Sequence, residues 1–288
     1  MRRLLIEPSI ETVAITRTEL DLLDEQATSA YLERLKPEIV IGAAAVVGGI
    51  KANLGDPVRF LLENLAIQNN LMMASARAGV SKFVFLASSC IYPRLAPQPM
   101  SESDLMTGPL EPTNESYAVA KIAGIQLARS LQQEGRLKSM VLIPPNIYGP
   151  NDHFDLQRAH VLSSLIRRFT DAAIDGKKSI DVWGSGNARR EFMHSDDLAD
   201  SVLFLLRNSS TPFLLNVGVG DDIAIRDAAH LIAEITEYSG RVVFDTNQPE
   251  GMPQKLLDSS MMHHLGWHPR IDLVDGLTQL AAEYRSKI

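Results

Sequence analysis

The stretch Lys82-Phe83-Val84-Phe85-Leu86-Ala87-Ser88-Ser89-Cys90-Ile91-Tyr92-Pro93 decides the fold. Phe83 to Ala87 are apolar without alternation, so Lys82 to Ala87 reads as a strand buried on both faces, and two hydroxyls and a thiol follow it at once. Such a strand needs a helix on each side, and both are present. Upstream, Pro57 to Ala78 has helical spacing and is closed by Gly79; downstream, Ser116 to Glu134 has it and stops at Gly135. Further out lie a buried strand at Glu38 to Ala45 and another at Ser139 to Ile143. Near the start, Glu11 to Thr16 reads as a strand and Asp24 to Leu35 as a helix, with Asp24 as N-cap and Pro37 just beyond. Strands alternating with helices make βαβ units, hence an α/β fold with a doubly wound parallel sheet.

After Pro144 the rhythm loosens. Pro144 to Pro150 is rigid and turn-prone, and a helix follows from about His160 to Ala173. A strand at Ile180 to Trp183, a turn at Gly184 to Asn187 and a helix at His194 to Leu206 come next. Then come a strand at Phe213 to Val217, a helix at Ile225 to Tyr238, a strand at Arg241 to Phe244 and two helical pieces around Gly266-Trp267. A smaller mixed α/β domain therefore accompanies the sheet, with the ligand expected between them at the carboxyl ends of the strands.

Composition narrows the function classes. The 288 residues are 45% hydrophobic and 22% charged, which is globular, with a net charge of −7. That balance argues against nucleic acid or an anionic membrane as the main partner. The longest apolar run, Ile39 to Ile50, is 12 residues with three glycines, well short of the ~20 needed to cross a bilayer. The N-terminus lacks a signal-peptide pattern, and one cysteine, Cys90, excludes an internal disulfide, so a reducing cytoplasmic setting is expected.

Tyr117 and Lys121 form Y-x-x-x-K, which puts both side chains on one helical face. An ammonium beside a phenol favours phenolate, so a lowered Tyr117 pKa is expected. On spacing alone the pair is more often an exposed couple on an amphipathic helix. Ser88, Ser89 and Cys90 stand where open α/β sheets build their sites. Their bland readings are turn capping and a small buried hydrophobe.

These residues, with P-x-N-x-Y-G-P at Pro144 to Pro150, resemble the extended short-chain dehydrogenase/reductases of the nucleotide-sugar type. Val47 to Ile50, Glu111 to Glu115, Ala120 to Gly124, Trp183 to Gly186, Arg190 to Asp197 and Lys255 to Asp258 sharpen the likeness toward the GDP-L-fucose synthase family. The resemblance implies a 3,5-epimerase/4-reductase of GDP-4-keto-6-deoxy-D-mannose, with NADP as cofactor and a GDP-sugar substrate as partner. It implies a homodimer, with no nucleic acid, membrane or metal involved. It also implies a dinucleotide-binding domain over 1–149 with a return segment 194–218, and a substrate domain over 150–193 and 219–288.

Carried over by position, the resemblance makes Ser88, Tyr117 and Lys121 a reductase triad and Cys90 and His160 an epimerisation pair. For NADP it implies Arg17, Leu86, Ala87, Ser88, Ser89, Lys121, Pro144, Pro145, Asn146, Ile147 and His160. Arg17 would meet the 2′-phosphate. For the GDP-sugar it implies Arg168, Trp183, Arg190, Glu250 and Lys255, with Glu250 standing where the family pattern has Asp. Related alternatives are a GDP-L-colitose synthase-type enzyme, a plain nucleotide-sugar 4-epimerase, and a remnant without cofactor turnover.

The last alternative has a specific motive. The family opens with a strand and G-x-x-G-x-x-G, whereas the first glycine here is Gly42 and the likeness begins near Leu4. In the strand order 3-2-1-4-5-6 that first strand is central. The expectation is a sheet lacking its first βα unit, with open edges and no glycine cradle for a pyrophosphate.

Overall fold

The computed structural model describes residues 2–156, 159–208 and 210–288. Its main sheet is parallel, built from β1 (Ile39–Gly42), β2 (Lys82–Leu86), β3 (Ser139–Ile143) and β8 (Leu214–Asn216), in the order β1-β2-β3-β8. Register runs Ile39 to Lys82, Phe83 to Ser139 and Val141 to Leu214. Every residue of β3 is buried, and its two faces enter different cores, as a period of two requires. Val141 and Ile143 join Phe83, Phe85, Met72 and Ile125 on one side, while Met140 and Leu142 join Val84, Val202, Leu215 and Trp267 on the other.

The helices start where the sequence can cap them. After α1 (Arg2–Leu5), α2 (Glu25–Leu35) begins at Asp24, whose carboxylate accepts from the Ala27 N–H. A short α3 (Ile50–Gly55), which the periodicity did not anticipate, precedes α4 (Pro57–Arg77), capped by Asp56. Helix α5 (Glu115–Gln133) crosses α4 closely, with Gln68 Nε2 donating to the Ala120 carbonyl at 2.7 Å. Helix α7 (Ser195–Arg207), capped by His194, covers the second face.

The remaining elements form the smaller layer. β4 (Asn146–Tyr148) pairs in parallel with β7 (Phe192–His194), and β5 (Ser179–Trp183) with β10 (Arg241–Asp245). Three two-residue strands, β6 (Arg189–Arg190), β9 (Ile223–Ala224) and β11 (Gln254–Lys255), make a sheet ordered β11-β6-β9. Helices α6 (Val161–Ile174), α8 (Ile225–Ile235) and α10 (Leu273–Arg285) pack a third core around Phe169, Ile232 and Leu277, and α9 (Ser260–His264) lies against β8.

One sequence expectation fails. Glu11 to Thr16 carries no regular structure and is mostly exposed. β-Branched residues make a strand only when a neighbouring ladder accepts their N–H and C=O groups. Here β1 is the edge of the sheet, and no described strand lies between it and residues 11–16. Among the described residues, β1 therefore has no strand paired on its outer side.

Candidate active site

The site is assembled at the carboxyl end of β2. The Ala87 N–H donates to the Leu142 carbonyl at 2.8 Å and the Ser89 N–H to that of Pro144 at 3.0 Å, which fastens the segment leaving β2 to the one leaving β3. Ser88 is extended, and its Oγ accepts from the Cys90 N–H at 3.3 Å, starting a 3-10 turn over Ser89–Ile91. The capping role and a place at the site thus coexist, because the Ser88 side chain also acts on the Tyr117 hydroxyl, favouring its ionised form. Tyr92 is fully buried and donates to Asn216 Oδ1 at 2.6 Å, tying this turn to β8.

Helix α5 brings Tyr117 and Lys121 to the same place. The Lys121 ammonium donates to the Leu86 carbonyl at 3.0 Å and lies 4.9 Å from the Phe85 ring centre and 5.8 Å from that of Tyr117. Burial pushes Lys121 down to about 8. Tyr117, wedged edge-on against Phe60, goes the other way from the sequence expectation. Its hydroxyl is pushed up by burial and by the neighbouring Cys90, against a smaller opposing effect of Ser88. The phenol is held neutral because desolvation and the neighbouring sulfur outweigh the effect of Ser88.

Cys90 sits between two donors: Lys255 Nζ at 3.0 Å and Asn114 Nδ2 at 3.1 Å from Sγ. Burial would raise the thiol, but the charge and hydrogen bond of Lys255, with Ser88 and Arg190, bring it below its ordinary value. His160 is the N-cap of α6; burial lowers its pKa, Asp152 works against that, and Lys255 adds to it. Among the described residues, none hydrogen-bonds the buried Asn114 Oδ1.

Other sequence-predicted residues lie around this cluster or away from it. Pro144 to Ile147 follow β3, where the Asn146 N–H and side-chain amide both donate to the Glu191 carbonyl at 3.2 Å. Arg190 donates to the Glu250 carbonyl at 2.9 Å, and Glu250 itself accepts from the Ser185 N–H in the turn after β5. Arg168 reaches the Asp181 carbonyl, and Trp183 is exposed at the end of β5. Arg17 stands in the exposed turn after residues 11–16, where it pairs with Asp21 at 3.4 Å. A cleft of about 590 Å³, lined in part by Arg94, Glu111, Ser185, Gln248 and Glu250, opens beside Arg190.

Sequence reasoning missed Glu191 as an organiser. Its side chain is completely buried and accepts from the N–H groups of Val219, Gly220 and Leu257 at 2.5, 2.9 and 2.9 Å. The only cue was its place in Arg190-Glu191-Phe192. Glu111, buried and paired with Arg94 at 3.2 Å, was likewise hidden in a motif quoted for other reasons. Among the described residues no cluster of His, Cys, Asp or Glu could hold a metal, and no helix is long and apolar enough to cross a membrane.

The sequence model of the NAD dependent epimerase/dehydratase family matches residues 2–218. The chain is 44% identical over 279 residues to GDP-L-fucose synthase 1 of Arabidopsis thaliana, covering 97% of this chain and 86% of that protein. It is 44% identical over 277 residues to the GDP-L-fucose synthase of Escherichia coli (strain K12), covering 93% and 86%. Its structure is similar to that of the GDP-mannoheptose C4 reductase MlghC from Campylobacter jejuni with NADP bound, at a TM-score of 0.85 and 35% identity, covering 95% of this chain and 89% of that one.

Proposed function

The chain belongs to the NAD dependent epimerase/dehydratase family, and from that premise we propose that it makes GDP-L-fucose from GDP-4-keto-6-deoxy-D-mannose. The reaction is 3,5-epimerisation followed by NADPH-dependent reduction at C4. The observation that carries this reading is the convergence at Ser88, whose Oγ accepts from the Cys90 N–H at 3.3 Å and whose side chain eases ionisation of the neighbouring Tyr117 hydroxyl. One serine thereby couples a reactive thiol, suited to moving a proton on carbon, to a neutral phenol, suited to giving one to oxygen.

The donor set fits the nicotinamide-ribose end of NADP. An ammonium has three donors, and Leu86 O is the hydrogen-bond acceptor that the described residues give to the buried Lys121, so a ribose diol can take the others. Leu86 to Ser89, Pro144 to Ile147 and His160 would border it, and Arg17 would meet the 2′-phosphate. The described residues include no strand followed by a G-x-x-G-x-x-G turn for the pyrophosphate. When bound, NADPH supplies hydride to C4.

The protein groups do the rest. Tyr117, held neutral, donates its proton to the C4 oxygen, and Ser88 orients that oxygen. The C4 ketone acidifies the protons on C3 and C5. Cys90, favoured as thiolate, removes such a proton, and His160, entering the step as imidazolium, returns one to the carbon from the opposite face. Arg168, Trp183, Arg190, Glu250 and Lys255 surround the GDP-sugar, arginines being suited to its diphosphate. Residues 1–149 with 194–218 carry the cofactor, and 150–193 with 219–288 the sugar, in a cytoplasmic homodimer.

The test is NADPH oxidation with GDP-4-keto-6-deoxy-D-mannose and the 3,6-dideoxy keto sugar side by side. Faster turnover of the first, yielding GDP-L-fucose, is expected. Preference for the second would reassign the chain to GDP-L-colitose formation.

A further inference from the structure

The sequence offers Lys255 as one more cation for a diphosphate, and the structure gives it other work. Lys255 is 7% exposed, and its ammonium lies 3.0 Å from Cys90 Sγ. Among the described residues it forms no ion pair with a carboxylate. A buried ammonium needs an anionic or strongly accepting partner, and the sulfur is the one it has.

The contact is built, since the backbone around Lys255 is held on both sides. The Glu191 N–H donates to the Lys255 carbonyl at 3.1 Å, and Glu191 Oε2 accepts from the Leu257 N–H at 2.9 Å. The Leu256 N–H donates to Gln98 Oε1 at 2.9 Å, and Met100 bridges Leu257. Gln98 and Met100 follow Cys90 on the same segment, so the strand bearing the lysine is laced to the chain bearing the thiol.

On this basis, and resting on the reading of Cys90 as a proton-transfer group, we propose that Lys255 is the positioning residue that holds Cys90 as an ammonium–thiolate pair. The thiol proton passes to solvent, the sulfur keeps the electron pair, and Lys255 stays protonated. The sulfur is then a base for carbon before the sugar arrives. The groups facing it are consistent with this division. Arg190 also favours the anion; Asn114 and Ser88 hydrogen-bond to Sγ or to its turn. Tyr117 is made harder to ionise by the sulfur, and His160 feels Lys255 as a like charge. Of these, Lys255 gives the largest effect opposing burial of the thiol.

Cys90 is the only cysteine in the chain, so its ionisation can be read with neither sugar nor NADPH. The experiment is the pH dependence of iodoacetamide alkylation of the full chain, with Cys90→Ser as the blank. Wild-type protein is expected to show an inflection below that of an ordinary thiol at about 8.5. Lys255→Met should raise it by one pH unit or more, with at least about tenfold slower alkylation at neutral pH, whereas Lys255→Arg should keep it low. A wild-type inflection at or above the ordinary value overturns the proposal without any variant, as does a Lys255→Met profile superimposable on wild type. An intact shift beside a failed turnover assay would sink the epimerase reading and leave the ion pair standing. Normal turnover with no shift would do the reverse.

Discussion

Glu191 Oε2 accepts a hydrogen bond from the Leu257 N–H at 2.9 Å, while its Oε1 takes those of Val219 and Gly220. One buried carboxylate thus joins the strand of Arg190 to the segment after Lys255 and the loop after β8. Three chain segments distant in sequence meet on one side chain, which stands next to Arg190 in the chain and holds the segment just after Lys255.

That carboxylate has a pH signature. Burial, opposed by its three N–H donors, pushes Glu191 up to about 7 from an ordinary carboxylate value of 4.5. The folded state therefore binds more protons than the unfolded one between these values, and stability is lost as pH rises through that window. The contribution is about 3 kcal/mol at most. Thermal unfolding from pH 4.5 to 7.5 should show this slope in wild type and lose it in Glu191→Gln; identical slopes would contradict it.

Lys121 should report on cofactor binding. With burial holding it at about 8, the ammonium proposed to meet the ribose is lost above that pH. NADPH affinity, measured by fluorescence titration, should weaken by up to about fivefold between pH 8 and 9. Lys121→Met should bind more weakly and without that dependence.

Tyr117 separates the two half-reactions. Removing its hydroxyl in Tyr117→Phe should slow reduction about 10²- to 10⁴-fold while proton exchange on C3 and C5 continues. Equal losses in both would place the phenol elsewhere in the chemistry.

Gly124 is where α5 meets the sheet. A Cβ there would come within 2.6 Å of Phe85 Cζ and 2.7 Å of Gln68 Oε1, both buried. Gly124→Ala should cost about 1–3 kcal/mol by denaturant unfolding, with the Lys121 contact to Leu86 loosened as well. An unchanged midpoint would mean that α4 and α5 can part freely.

How much of this was legible depends on how local each feature is. β2 and β3 declared themselves because Phe83 to Ala87 and Met140 to Ile143 are apolar on both faces, and α2 because Asp24 caps it. Glu11 to Thr16 misled because strand propensity says nothing about a partner ladder. The two-residue strands β6, β9 and β11 are too short for any period, yet they deliver Arg190 and Lys255. Tyr117 and Lys121 stood out only beside Ser88 and the family motifs, because on spacing alone such a pair is more often an exposed couple. Their charge states were not legible, because desolvation is set by Phe60, Phe85 and Leu86, which come from other elements. Lys255 and Cys90 are 165 residues apart, a contact no local pattern encodes.

The central claim is that Cys90 and His160 move protons on the carbons flanking the ketone. Its most direct test is solvent-deuterium incorporation at C3 and C5 of GDP-4-keto-6-deoxy-D-mannose, followed by NMR with wild type, Cys90→Ser and His160→Asn. Exchange at both carbons in wild type, reduced about hundredfold or more in either variant, is the predicted result. Exchange that proceeds unchanged in both variants would contradict the account.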